Sequence, residues 1–327
     1  MGTVTDTVTA TDNPRTSRGP SVRLQRILAF ILLLAQGGIT VTGSVVRVTG
    51  SGLGCDTWPN CHEGSLVPVA GAAPALHQAI EFGNRLLTFV LAAIALAVFI
   101  AVLRAGRRRE IKVYALISGI GIILQAVIGG VSVLLDLQWW AVAIHFLPSM
   151  VLVWIAALLY MRLAEPDDAQ PVRMFPALIR TLTVVAAVAL ALVLITGTMT
   201  TGAGVHSGDA GVGMEGRLEV DIKLMAYIHA SAMYLYLAAT LVVTWLLHRH
   251  KAPAAARQTA YVLIAMILVQ WGIGLIQFYL GIPRWTIPVH IAMSSVVVAF
   301  SAFLYAHGLR RTSYTPLRAK ADANAQR

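Results

Sequence analysis

The stretch that decides the fold is QAVIGGVSVLLDLQWWAVAIH, residues 125–145, because it recurs 145 positions later as QWGIGLIQFYLGIPRWTIPVH, residues 270–290. The recurring polar, aromatic and glycine positions are Gln125, Gly129, Trp140 and His145, which correspond to Gln270, Gly274, Trp285 and His290. Self-similarity at a fixed spacing indicates an internally repeated architecture. The sequence therefore predicts two copies of one structural unit.

The sequence around this repeat consists of apolar runs of about 20 residues or more, and each run is long enough to span a bilayer. The chain is 57% hydrophobic and only 12% charged, about half the charge of a typical soluble domain. This composition excludes a single water-soluble domain. We predict eight transmembrane helices at about 24–47, 77–103, 113–135, 139–162, 175–198, 222–247, 258–280 and 286–308.

The basic residues indicate how the helices are oriented. The net charge is +10, yet 20 of the 25 Lys and Arg residues lie in or next to the segments before helix 1, after helices 2, 4 and 6, and after helix 8. This distribution follows the positive-inside rule rather than the pattern of a nucleic-acid-binding protein. Both termini are therefore expected in the cytoplasm. The two outer loops, about 48–76 and 199–221, are rich in Gly, and we predict no folded domain in either.

Each repeated unit contains four helices, an even number, so both copies are expected to insert in the same orientation. The predicted fold is an all-α integral membrane protein. Its two tandem four-helix bundles are expected to be related by pseudo-two-fold symmetry along the membrane normal. The expected segments are a disordered cytoplasmic tail (1–23), an N-terminal half (24–162), a cytoplasmic linker (163–174), a C-terminal half (175–308) and a cytoplasmic tail (309–327).

Three histidines are predicted inside the bilayer. His145, His229 and His290 each lie a few residues inside the outer end of a helix, at a depth of roughly 10 Å. Polar side chains at such depth are costly and are usually functional. Two imidazoles from parallel helices at one depth can bind one heme iron from opposite faces, although interhelical hydrogen bonds alone are the alternative. His62 and His206, in the outer loops, are expected to be solvated.

The two halves differ where chemistry is expected. The repeat aligns Asn84 with His229, so the second half can hold iron between His229 and His290, whereas the first half offers only His145. An open coordination position suits a substrate. Glu81 and Arg85 flank Asn84 and have no counterparts in the second half. Glu81 is either a simple ion-pair partner of Arg85 or a group for proton transfer and charge stabilisation.

Cys55 and Cys61 are the only cysteines, and both lie in the first outer loop. The outer compartment permits disulfides, so a structural disulfide is one interpretation and a redox-active pair is the other.

The motifs resemble those of the heme A synthase family over about residues 24–308. The run Gly43–Cys55 with Trp58-Pro59 is similar to the family's first helix and loop. Ile80–Arg85 resembles its Glu-x-x-His-Arg motif, although Asn84 replaces the usual His. The remaining family histidines match His145, His229 and His290.

The resemblance implies an oxidoreductase of heme A biosynthesis and cytochrome oxidase assembly in a bacterial cell membrane. Heme O would be the substrate, and its C8 methyl would become a formyl group by successive hydroxylations with oxygen from water. The implied roles are heme b ligation by His229 and His290, substrate-iron ligation by His145, substrate binding near Asn84 and Arg85, and catalysis by Glu81. The family's paired loop cysteines would be Cys55 and Cys61.

Expected partners are the lipid bilayer, a heme O synthase and an electron acceptor, and the sequence is compatible with a homo-oligomer. Two other functions compete with heme oxidation. A b-type cytochrome that only transfers electrons would hold heme without modifying it. A heme transporter would need a path to both sides, whereas the candidate sites lie near the outer face.

Overall fold

The computed structural model describes residues 19–206 and 216–311. Within these ranges eight helices are long and apolar enough to cross a membrane, which confirms the predicted number. They are α1 Val22–Val48, α2 Ala75–Arg104, α3 Arg109–Leu134, α4 Trp139–Arg162, α5 Ala177–Ala203, α6 Ile222–Arg249, α7 Ala254–Tyr279 and α8 Thr286–His307. Most of the two predicted tails, 1–23 and 309–327, lies outside the described residues.

Helix ends follow local chemistry. Ser21 caps α1 by accepting a hydrogen bond from the Leu24 amide at 3.2 Å, and Asp221 caps α6 through the Leu224 amide at 2.8 Å. The end predicted for α5, residue 198, was wrong. The helix continues to Ala203, and the hydroxyls of Thr200 and Thr201 donate to carbonyls one turn back.

The helices pack mainly with their neighbours in sequence. Contacts join α1 to α2, α2 to α3, α3 to α4 and α4 back to α1, and the same circuit joins α5, α6, α7 and α8. Between the two circuits, α8 lies against α1 and α4, and α4 lies against α5. Close approach at this junction uses small polar groups: Thr40 and Ser295 share a hydrogen bond of 3.1 Å.

Two short strands were missed by the sequence reasoning. Strand β1, Pro171–Arg173, lies in the predicted linker and pairs antiparallel with strand β2, Leu309–Arg311, which follows α8. Next to the strands, the buried Glu165 carboxylate binds Arg162 at 2.8 Å and Arg108 at 3.0 Å. Three-residue strands this far apart in sequence produce no hydrophobic periodicity, so the pattern could not reveal them.

Candidate functional site

The predicted intramembrane pair forms in the second half. The rings of His229 on α6 and His290 on α8 lie with centroids 6.4 Å apart and planes inclined at 60°. Two metal–imidazole bonds of about 2 Å on opposite sides of one iron would place ring centroids roughly 6 Å apart. The pair therefore has the spacing that a bis-imidazole iron site requires.

A threonine on the neighbouring helix lies within hydrogen-bond distance of the His229 ring. The Thr196 hydroxyl donates to the Leu192 carbonyl at 2.8 Å, so its oxygen can accept from His229 Nδ1, which lies 3.2 Å away. Nδ1 then carries the proton, and Nε2 keeps a free lone pair. A metal-binding histidine is usually held in this way, with its second nitrogen donating to a fixed partner.

Glycines leave room for all three rings. A Cβ on Gly129 would lie 3.0 Å from His145 Cε1, and one on Gly197 would lie 3.1 Å from His229 Cε1. The corresponding distance from Gly274 to His290 Cε1 is 3.7 Å. A larger residue at Gly129 or Gly197 would press on an imidazole, whereas a Cβ on Gly274 would make ordinary contact with His290.

The repeat is reproduced in hydrogen bonds. Gln125 Nε2 donates to the His145 carbonyl at 2.6 Å and also contacts Ser149 Oγ. In the second half, Gln270 Nε2 donates to the His290 carbonyl at 3.1 Å and to Ser294 Oγ at 2.8 Å. These serines were missed, although each stands four residues after its histidine and the sequence signal was present.

The repeat's histidines also carry buried ring nitrogens. In the described part of the chain, Nδ1 of His145 and Nδ1 of His290 have no hydrogen-bond partner. Buried polar atoms without partners are costly unless a ligand engages the group.

The described ranges also contain no cluster of three or more His, Cys, Asp or Glu residues that could hold a bare metal ion. A porphyrin supplies iron with its own four nitrogens, so two imidazoles fit a heme.

Asn84 stands at the position that the repeat aligns with His229. Its Oδ1 accepts a hydrogen bond of 2.7 Å from Thr42 on α1. Across the described ranges no hydrogen bond joins Asn84 to His145. The first half therefore presents one imidazole and one amide where the second half presents two imidazoles.

Glu81 and Arg85 form an ion pair, as one of the two sequence interpretations expected. Arg85 Nε donates to Glu81 Oε1 at 3.0 Å, and both side chains are largely buried. The same guanidinium donates to the carbonyls of Cys55, Thr57 and Asn60, each at 3.0 Å. Arg85 therefore binds the first outer loop to α2, a role that the sequence did not indicate.

The first outer loop is more ordered than expected. Cys55 and Cys61 form a disulfide. The Trp58 ring lies against α3 at Gly130, where any Cβ would overlap it. The expectation that His62 is solvated was wrong: only 6% of it is exposed, and its ring nitrogens lie 2.9 Å from Asp56 Oδ1 and 3.0 Å from Gln78 Oε1.

His206, the other histidine expected to be solvated, is half-buried, and its Nε2 lies 3.1 Å from the Ile282 carbonyl.

These features define a multi-pass membrane protein with paired histidines inside its helices. Residues 26–302 match the family model COX15-CtaA, described as cytochrome oxidase assembly protein. The chain therefore belongs to the COX15-CtaA family.

Three relatives named heme A synthase are similar to parts or most of the chain. A Bacillus licheniformis protein is 31% identical over 150 residues, and an Exiguobacterium sibiricum protein is 29% identical over 146 residues. Those matches cover 45% and 44% of this chain and span about half of each relative, 48% in both cases. A Listeria monocytogenes serotype 4a protein is 25% identical over 297 residues, covering 85% of this chain and 93% of the relative.

Proposed function

We propose that this protein is a heme A synthase, an oxidoreductase that converts heme O to heme A in the membrane. The observation that carries the proposal is the His229–His290 pair, whose rings lie 6.4 Å apart in a chain of the COX15-CtaA family. The relatives named heme A synthase support the same activity. A heme-binding membrane oxidoreductase is the class that these observations share.

The proposed architecture is two tandem four-helix bundles related by an axis along the membrane normal. Residues 24–162 form the substrate half, and residues 175–308 form the cofactor half. Two closed circuits of helix contacts and the duplicated Gln–His–Ser hydrogen bonds support this division. The distribution of Lys and Arg supports cytoplasmic termini and a cytoplasmic linker at 163–174.

His229 and His290 would hold heme b as axial ligands. The Thr196 contact keeps His229 Nε2 unprotonated for this purpose, and Gly197 and Gly274 give the two rings space. Heme b, when bound, supplies a one-electron carrier. The protein's own contribution is to fix the two rings at one depth and to keep water away from them.

The first half would bind heme O through His145, with Asn84 on the helix opposite. Gln125 and Ser149 hold the backbone of His145, and Thr42 holds the Asn84 carbonyl oxygen. An amide is a poor iron ligand compared with an imidazole, so one coordination position of the substrate iron stays open. Weaker ligation of the substrate iron makes it easier for the site to release its product.

Glu81 would be the catalytic carboxylate. Arg85 Nε binds its Oε1, so Oε2 lies outside the ion pair and can take a proton from the water that supplies oxygen. Arg85 holds the carboxylate in place and supplies a positive charge beside it. The loop carbonyls that Arg85 binds seal this side of the site, and the Cys55–Cys61 disulfide holds the loop as a structural element.

Co-expression with a heme O source, followed by chromatography of the extracted hemes, tests the proposal. We expect heme A in cells with the wild-type chain and only heme O in cells with an empty vector. Tightly bound heme without heme A in the extract would assign the protein to electron-transferring cytochromes instead. Heme accumulation across the membrane without a modified product would indicate transport.

A further inference from the structure

A hydrogen-bonded aromatic pair lies on the outer surface of α6 and α7. Trp271 Nε1 donates to the Tyr234 hydroxyl at 3.2 Å, and the rings meet edge to face with centroids 6.5 Å apart. Tyr234 is 50% exposed and Trp271 is 37% exposed. Because both helices are membrane-length, these polar aromatic groups face lipid.

Tyr234 shares a helix with His229, and Trp271 lies on α7, which is hydrogen-bonded to the helix of His290. Tyr234 follows His229 by five residues on α6. Trp271 is the residue after Gln270, whose amide donates to the His290 carbonyl. A molecule at this pair would therefore contact the lipid side of α6, which carries His229, and of α7, whose Gln270 binds the His290 carbonyl.

The first half has no such pair. The 145-residue shift aligns Tyr234 with Phe89 and Trp271 with Ala126, so neither the hydroxyl nor the indole N–H is repeated. The same shift aligns His229 with Asn84. The polar aromatic pair thus occurs only in the half with two imidazoles.

The hydrogen-bonding groups and rings of the pair match a planar, lipid-soluble molecule that accepts hydrogen bonds. Tyr234 oxygen accepts from Trp271, and its own proton is not used in that bond, so it can donate outward. A hydroxyl in hydrocarbon gains strongly from such a partner. A quinone has carbonyl oxygens that accept hydrogen bonds, a ring that stacks on aromatic faces, and an isoprenoid tail that dissolves in the bilayer.

We propose that Tyr234 and Trp271 form the docking site for a lipid-soluble quinone that receives the electrons released by the oxidation. This inference rests on the proposed function. Converting a methyl to a formyl group with one water releases four electrons and four protons. Two quinones take up these electrons and protons and become two quinols, so the reaction balances without molecular oxygen.

The test uses the purified holoprotein in nanodiscs and a short-chain naphthoquinone as the probe. Equilibrium dialysis measures quinone binding, and absorption spectroscopy under anaerobic conditions follows reoxidation of the dithionite-reduced heme. Tyr234→Phe and Trp271→Phe should weaken binding and slow reoxidation about tenfold, the effect of losing one hydrogen bond. Tyr227→Phe is the matched control because Tyr227 lies on the same helix and is 61% exposed.

Two further readouts keep the outcomes separate. Reoxidation by ferricyanide, which needs no lipid-facing site, should be the same in all variants, and the oxidised heme spectrum should be unchanged. Equal quinone binding and equal reoxidation in wild type and both variants would overturn the proposal. Variants that change only the oligomeric state of the protein, with quinone binding and reoxidation unaltered, would overturn it as well. If wild type makes heme A but binds no quinone, the docking site alone fails; if it makes no heme A, the proposed function fails.

Discussion

His229 shows how one side chain can be prepared for a metal by its neighbours. Thr196 Oγ1 lies 3.2 Å from its Nδ1 and can accept its proton, and Gly197 leaves space at its Cε1. We predict that His229→Ala or His290→Ala removes the low-spin heme b signal, because one axial ligand is lost. Absorption and electron paramagnetic resonance spectra of the purified variants provide the measurement. His248→Ala, at the exposed end of the same helix, should keep the signal; bis-histidine spectra in both test variants would contradict the ligand assignment.

Glu81 has a separate consequence at the residue scale. Glu81→Gln keeps the size of the side chain but removes its charge and its capacity to take a proton. Heme A formation should fall by about 10² to 10⁴, the usual contribution of a general base, while heme b stays bound. Heme chromatography and the heme b spectrum measure the two effects separately. Unchanged product would reject a catalytic role and leave Glu81 as the partner of Arg85 alone.

At the scale of elements, the distance between helices α5 and α6 depends on a glycine. Gly197→Ala would place a methyl 3.1 Å from His229 Cε1, closer than normal contact, so the ring must move. Overpacking of this kind costs about 1–3 kcal/mol. We expect lower heme b occupancy and shifted g values in the paramagnetic resonance spectrum. Gly274→Ala, with 3.7 Å to His290 Cε1, is the control and should bind heme normally; equal behaviour of the two variants would contradict the steric argument.

The elements also show what sequence can predict. Apolar length predicted all eight helices, and the repeat predicted that Gln125 and Gln270 occupy equivalent surroundings, because both signals are local or periodic. The burial of His62 and the three contacts of Arg85 with loop carbonyls could not be predicted, since they depend on how a loop folds back onto α2. Hydrogen bonds to loop carbonyls involve the backbone, which leaves no trace in residue identity.

For the whole molecule, the charge cluster beside the strands is expected to stabilise the fold far from the imidazoles. Glu165 is buried and binds Arg162 and Arg108. Glu165→Gln would remove one counter-charge of the buried Arg162 and Arg108 guanidinium groups, which keep Glu110 and Asp167 as partners, so the cost should stay below the roughly 3–5 kcal/mol of a fully broken buried pair. The melting temperature in detergent should fall by several degrees while the heme b spectrum of the folded fraction stays unchanged. Asp168→Asn, at an exposed position nearby, should melt like wild type; an unchanged melting temperature for Glu165→Gln would show that the cluster is not stabilising.

Strand β2 has a consequence for biogenesis. It is synthesised after α8, whereas its partner β1 precedes α5. Strand β1 therefore cannot pair until α5, α6, α7 and α8 have been synthesised. The hydrogen bonds from Arg162 on α4 to the carbonyls of Ala306 and Leu309 also cannot form before the end of α8 is synthesised. The ribosome must therefore synthesise residue 311 before β1 and β2 can pair, so a nascent chain arrested earlier would have inserted helices without this strand pair.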